Sequence, residues 1–209
     1  MHVLVTAGPT REPIDEVRFI TNASSGRMGY AVAAAAVSAG HEVRLLSGPV
    51  SLQAASGCRV IPFVQVEELR QLLAEHFPWA DALVMAAAVG DFTVGGPVLG
   101  KLKRSGGRQR LDLLPTPDLL AELAPRRRAG QVIVAFAVES GDLDRIQRQA
   151  LDKLRDKQTD YIVANTPEAI SAPTSLACIL GPKGIVLDWA ERPKDDLARA
   201  IVKLLGPAA

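Results

Sequence analysis

The chain has 209 residues, 48% of them hydrophobic and 22% charged, with 17 glycines and 14 prolines. That supports one hydrophobic core, is short for two full domains and excludes an intrinsically disordered chain. Lys and Arg total 24 against 23 Asp and Glu, a net charge of +1, so no overall field draws the chain to nucleic acid or to a membrane surface.

Taken in chain order, His2–Ala7 (HVLVTA) is a short apolar, β-branched run ending at Gly8-Pro9, which reads as a buried parallel strand. Gly29–Ala39 (GYAVAAAAVSA) reads as a helix of small residues, stopped by Gly40 and built to pack closely on a sheet. Glu42–Leu46 and Arg59–Val64 predict further strands, and Glu67–Phe77 a helix with Leu69, Leu72 and Leu73 at helical spacing. Ala82–Val89 is wholly apolar and predicts a fourth strand. Gly90–Arg110 differs from the rest: it is polar and glycine-rich, carrying Lys101, Lys103, Arg104, Ser105, Arg108 and Arg110. Asp118–Leu123 then starts a helix, Gln131–Ala137 a strand, Asp142–Lys157 a polar helix and Asp160–Ala164 another strand. Leu176–Leu180 and Gly184–Leu187 flank Gly181-Pro182-Lys183 as a hairpin at the far edge, and Asp195–Leu205 closes the chain as an amphipathic helix.

Strands alternating with helices predict an α/β fold. It is Rossmann-like, with a doubly wound, mostly parallel sheet, a C-terminal β-hairpin and a glycine-rich flap at about 90–110, in one domain spanning 1–209. No apolar run of about 18 residues is free of charge. Met1 leads straight into a strand-like run with no basic or apolar leader region, so a cytoplasmic location is expected. Cys58 and Cys178 lie far apart without metal-type spacing, which predicts a reducing compartment and no zinc site.

In such sheets the ligand sits beyond the carboxyl ends of the strands, so the long loop from Gly8 to Gly26 is the first candidate. It lacks the three close glycines of a dinucleotide fingerprint. Instead Asn22-Ala23-Ser24-Ser25-Gly26-Arg27-Met28-Gly29 enters a helix, where Ser24, Ser25 and Gly26 offer free amides and hydroxyls to an anion. The alternative is an N-cap serine with glycines for tight packing. Only seven of the 24 basic residues are lysine. Lys153 and Lys157, spaced i, i+4, repel one another on one helix face; either a phosphate relieves this or Asp152 and Asp156 screen it on a solvated helix. The Gly90–Arg110 segment suits a lid over phosphates or is simply a surface loop. Asp91, directly after an apolar strand, could hold Mg²⁺ or contact a base or ribose. His2, His41 and His76 form no relay with a Ser or Cys, and Arg126–Arg128 reads as a solvated helix end.

These segments together resemble the bacterial phosphopantothenate–cysteine ligase (phosphopantothenoylcysteine synthetase) family, the ligase half of the bifunctional coenzyme A enzyme. AGPTREPIDEVRFITNASSGRMG (7–29) is similar to its signature, and AAAVGDF (86–92) to its Ala-Ala-Val-Ala-Asp-Tyr stretch. KLKR (101–104) is similar to the flap motif Lys-x-Lys-Lys, with Lys101 ten residues after Asp91. TPDLL (116–120), VAFAVES (134–140) and DYIVAN (160–165) resemble three further family motifs in the same order. Gly90, Arg104 and Thr116 depart from the pattern, and about three extra residues lie between Phe136 and Lys153.

The resemblance implies activation of 4′-phosphopantothenate by CTP, with Mg²⁺, to an acyl-cytidylate and pyrophosphate. L-cysteine then displaces CMP. By position, Lys101 matches the flap lysine that supports formation of the intermediate, and Asn22 the asparagine that orients it. Met85, Ala86, Ala87, Asp91, Pro117, Asp118, Leu119, Leu120, Phe136, Lys153 and Lys157 match the remaining nucleotide contacts. No protein metal cluster is implied, and a homodimer is, for which hairpin 176–187 also offers an edge needing cover. A non-catalytic nucleotide- or flavin-binding module partnering a separate flavin-dependent decarboxylase is the alternative, against which Asn22 and Lys101 argue. A short-chain reductase is excluded, because Tyr30 and Tyr161 are followed four residues on by Ala34 and Asn165 instead of lysine.

Overall fold

The computed structural model describes residues 1–96, 99–104 and 107–207; Ser105, named above, lies outside the described residues. In chain order the elements are β1 (His2–Ala7), β2 (Arg11–Pro13), β3 (Phe19–Thr21), α1 (Arg27–Ser38), β4 (Glu42–Ser47), β5 (Cys58–Pro62), α2 (Val66–His76), β6 (Ala82–Met85), β7 (Phe92–Val94), β8 (Leu113–Pro115), α3 (Leu119–Leu123), β9 (Val132–Val138), α4 (Leu143–Asp156), β10 (Tyr161–Asn165), β11 (Thr174–Gly181), β12 (Gly184–Pro193) and α5 (Lys194–Leu205). Eight strands form one sheet in the order β12-β11-β10-β9-β6-β1-β4-β5. The six from β5 to β10 are parallel, while β11 and β12 extend one edge as an antiparallel pair.

The central strands are apolar because both of their faces are covered. On one face Val3, Val5, Ala7, Val84 and Val134 pack against Val32, Ala33 and Ala36 of α1 and Leu197, Ala198 and Ile201 of α5. On the other, Leu4, Leu83, Ile133 and Ile162 meet Leu69 and Leu73 of α2, Leu120 and Leu123 of α3, and Ile146 and Leu154 of α4. Among the described residues no helix is long and apolar enough to cross a membrane.

Four expectations change. The strand expected over Ala82–Val89 ends at Met85; Ala86–Val89 are apolar because they line a cavity, not because they continue the sheet. The expected loop from Gly8 to Gly26 folds back as the β2–β3 hairpin, Arg11 to Pro13 opposite Thr21 to Phe19. The glycine-rich segment is tied at its base, where Phe92–Val94 pairs with Leu113–Pro115. The edge hairpin is longer than expected, since β11 and β12 pair from Thr174–Pro193 to Gly181–Gly184.

The small-residue face of α1 lies against β1 as expected, and Gly29 is its tightest point. A Cβ there would stand 2.5 Å from the Ala7 Cβ and 2.7 Å from the Thr6 carbonyl oxygen. Because Thr6 and Ala7 belong to the sheet's centre, neither can move aside cheaply. Gly29→Ala is expected to destabilise the fold by about 1–3 kcal/mol, read as a lowered urea midpoint with an unchanged slope.

Candidate functional site

A cavity of about 540 Å³ opens at the carboxyl ends of the parallel strands. It lies where the chain leaves β1 toward β4 on one side and β6 toward β9 on the other, the switch point at which such sheets bind ligands. Its walls come from residues 22–28, 85–91, 116–120, 136–138 and 165–175, with Lys153 and Lys157 from α4 and Lys194 and Leu197 from α5.

Beyond Met85 the backbone has left the sheet, so its polar groups need other partners. The buried Thr6 hydroxyl accepts from the Ala87 amide at 3.0 Å. The Ala88 amide donates to the Gly8 carbonyl, and the Thr10 amide to the Ala88 carbonyl. The Gly90 amide donates to Thr10 Oγ1 at 2.9 Å, and Thr116 Oγ1 donates to the Gly90 carbonyl at 2.6 Å. Thr116, a departure from the family pattern, thus fixes the segment at Gly90, another departure. Asn22 closes the set: its amide nitrogen donates to the carbonyls of Ala88 and Val89, both at 3.1 Å.

The entry to α1 forms the facing wall. Its N-cap residue is Gly26, with φ 78°, and no side chain caps the helix. The N-cap serine alternative is therefore set aside: Ser24 Oγ accepts from the Gly26 amide at 3.3 Å, and the first-turn amides of α1 have no side-chain acceptor. Such an end attracts anions. Across the cavity Ser171, at φ 60°, donates its hydroxyl to the Ala23 carbonyl at 2.7 Å, tying the β10–β11 connection to this loop.

Three lysines face the same space. Lys153 forms an ion pair with Glu139, and Lys157 pairs with Asp118 at 3.3 Å. Asp118 also caps α3 by accepting from the Ala121 amide. Of the two carboxylates offered as the alternative screen, Asp152 and Asp156, Asp152 pairs with Arg155 instead. Lys194 is only 8% exposed. Its ammonium donates to the carbonyls of Ala169 (2.8 Å) and Thr174 (3.3 Å) and to Ser175 Oγ (3.1 Å). Burial lowers its pKa from the ordinary lysine value, and the nearby Arg27 charge lowers it further. One end of the cavity thus combines the α1 N-terminus with Arg27 and Lys194, neither of which forms an ion pair among the described residues.

Of the residues singled out from the sequence, Asn22, Ser24, Ser25, Gly26, Met85, Ala86, Ala87, Asp91, Pro117, Asp118, Leu119, Leu120, Phe136, Lys153 and Lys157 all line this cavity. Lys101 does not: it is exposed on the flap, outside the lining. Sequence reasoning missed Lys194, Arg27, Asn165, Ser171 and Ser175. For Lys194 a signal existed, as one of few lysines in an arginine-rich chain placed at the start of the closing helix. Arg27 and Asn165 lie within the quoted family motifs without being singled out there, and nothing local marks Ser171 or Ser175.

Comparison with known proteins agrees with this geometry. The model of the DNA/pantothenate metabolism flavoprotein C-terminal domain matches residues 1–207. The coenzyme A biosynthesis bifunctional protein CoaBC of Bacillus subtilis (strain 168) is 42% identical over 172 residues, covering 82% of this chain and 41% of that protein. The crystal structure of the C-terminal domain of a coenzyme A biosynthesis bifunctional protein CoaBC superposes with a TM-score of 0.78 at 31% identity, covering 98% of this chain and 93% of that one. The DNA/pantothenate metabolism flavoprotein of Streptococcus pneumoniae shares the fold, with a TM-score of 0.86 at 23% identity over 98% of both chains. The chain spans about two fifths of the length of the B. subtilis relative. With its parallel sheet, its switch-point cavity and a match over nearly its whole length, the chain belongs to the DNA/pantothenate metabolism flavoprotein C-terminal domain family.

Proposed function

We propose that residues 1–209 act as one phosphopantothenate–cysteine ligase domain. The 4′-phosphopantothenate carboxylate attacks the α-phosphorus of CTP, and the bond to the β-phosphate breaks to release pyrophosphate. The cysteine amine then attacks the acyl carbon of the acyl-cytidylate, CMP leaves and the amine loses a proton. The observation that carries this reading is the convergence on one cavity of residues from five separate motifs, with cations and uncapped helix amides on its walls.

The reaction asks the protein for positioning and for charge stabilisation, not for a nucleophile of its own. In our reading the α1 amides with Ser24, Ser25 and Gly26 take phosphate oxygens. Lys153 and Lys157 bind the nucleotide, while the backbone of Met85, Ala86 and Ala87, together with Asp91, Pro117–Leu120 and Phe136, surrounds its base and sugar. Asn22 orients the acyl-cytidylate, and Lys101 reaches it from the flap. Mg²⁺ fits this donor set: Asp91 is exposed to the cavity whereas Asp118 is engaged by Lys157, and one carboxylate with phosphate oxygens is a usual magnesium environment. Bound there, the ion would neutralise charge on the phosphates.

A homodimer and a flavin-dependent decarboxylase acting on the product complete the proposal. For the dimer, Phe92, Leu111, Leu113 and Leu114 on the β7–β8 arm and Ile185 and Val186 on the β12 edge are all exposed, more apolar surface than scattered single residues leave.

The test is pyrophosphate release from CTP with phosphopantothenate present and cysteine absent, compared with ATP. Release from CTP alone supports the reading, and none from either nucleotide refutes it. Lys101→Ala is expected to slow this release about 30- to 1000-fold with the fold intact, the loss of one contact made to developing phosphate charge. Lys153→Ala combined with Lys157→Ala is expected to raise KM for CTP about tenfold while kcat changes little, since ground-state phosphate binding is what is lost. An unchanged KM returns the pair to the role of a solvated helix face.

A further inference from the structure

The turn of the β2–β3 hairpin holds the flap backbone on both sides of Lys101. The Leu102 amide donates to Asp15 Oδ2 at 3.0 Å. The Leu102 carbonyl accepts from Arg18 Nη2 at 2.7 Å, and the Gly100 amide donates to Glu16 Oε1 at 3.1 Å. Each of these contacts joins residues more than eighty positions apart, and all of them involve three side chains of the five-residue turn.

Asp15 is the centre of the arrangement. Its side chain is fully buried, and its two oxygens do different work. Oδ1 accepts from the amides of Val17 (2.9 Å) and Arg18 (2.8 Å), which closes the hairpin turn in the manner of an Asx turn. Oδ2 receives the Arg18 guanidinium and the Leu102 amide. A residue needed only to close the turn would use the first oxygen and leave the second to solvent. Burial by itself would raise the Asp15 pKa, but the backbone bonds from Leu102, Val17 and Arg18 and the Arg18 side chain outweigh it, holding the carboxyl well below the usual range. The carboxylate therefore stays charged, an acceptor only, throughout the neutral range.

The same hairpin runs on through β3 directly into Asn22, whose amide is fixed on the Ala88 and Val89 carbonyls. Thr21 Oγ1 secures that exit by donating to the Thr10 carbonyl at 2.7 Å. One short hairpin thus sets the place of both residues assigned to the chemistry, one through its C-terminal strand and one through its turn.

We infer that Asp15 is a positioning residue for Lys101: with Arg18 and Glu16 it docks the flap backbone at Gly100 and Leu102, fixing where Lys101 stands relative to the cavity. The effect on rate rests on the reading of Lys101 given above, whereas the docking itself does not.

Asp15→Asn separates the two duties of the side chain. The amide oxygen can still accept from Val17 and Arg18 and close the turn, but its NH₂ cannot accept from the Leu102 amide or from Arg18. The flap carries Lys101 and Lys103, so limited trypsin digestion of the folded full chain reads the docking directly. In Asp15→Asn, cleavage after Lys101 and Lys103 is expected to rise about tenfold, the loss of one hydrogen bond to a charged group. Pyrophosphate release is expected to fall about tenfold in kcat with KM for CTP within twofold. Leu102→Pro removes the flap donor without touching the hairpin and should raise cleavage after Lys103 similarly, which covers the case of Asp15→Asn failing to fold. Unchanged cleavage in the folded variants overturns the docking. Raised cleavage with unchanged pyrophosphate release overturns the positioning role, provided that Lys101→Ala is impaired. If the unmodified protein releases no pyrophosphate, the ligase reading fails, and the digestion still decides whether Asp15 docks the flap.

Discussion

The backbone that leaves β6 must be held open without a neighbouring strand, and the site depends on how this is done. From Ala86 to Asp91 the chain runs between two diverging crossovers, where the sheet ladder of β6 has given way to a single isolated bridge between Ala88 and Pro9. Thr6, Gly8, Thr10, Asn22 and Thr116 take over that duty. Because three of these five precede the β2–β3 hairpin and Asn22 follows it, the hairpin cannot shift without disturbing the wall. A buried polar network of this kind is worth having only when every member is satisfied, which accounts for small hydroxyl residues at positions that a packed core would fill with aliphatic ones.

Charge is arranged on the same principle. Positive groups gather around the cavity, yet Lys153 and Lys157 each keep a carboxylate partner in Glu139 and Asp118. These partners offset the repulsion between two cations on adjacent helical turns; on the function proposed above, they would yield to the more highly charged phosphates. Lys194 follows another course. Its ammonium is buried among two carbonyls and a hydroxyl, all neutral acceptors, and among the described residues no carboxylate pairs with it beside Arg27 and the α1 N-terminus. A buried cation without a counter-ion is costly; on the function proposed above, a phosphate of the ligand would supply the missing charge.

The flap and the hairpin form a second layer over this arrangement. Their contacts are made through backbone groups of the flap, so they constrain where the flap sits with little regard to its side chains. Among the described residues, neither Lys101 nor Lys103 forms an ion pair. Asp15, whose carboxylate serves the turn and the flap at once, links the two pieces.

Much of this was legible in the sequence, for physical reasons that can be named. Period and composition marked the buried strands, because HVLVTA and ALVM must shed their apolar surface on both faces of a covered sheet. The small residues of α1 announced close packing, which Gly29 against Ala7 shows at its tightest. Ordered motifs located the walls of the cavity, since loops at strand ends carry their chemistry in short contiguous runs. Other features depend on partners distant in the chain. Ala86–Val89 are as apolar as the strand before them, and β6 ends at Met85 because its pairing with β1 and β9 stops there. Glu139 and Asp118, not the adjacent Asp152, became the partners of Lys153 and Lys157, because α4 packs across the ends of β9 and β10. Lys194 and Asp15 likewise have meaning through residues 19 to 87 positions away. The sequence by itself determined the layers, the family and the cavity walls, all of which follow from local pattern; tertiary structure alone decided which charges meet and what the flap rests on, because those are matters of distance through space.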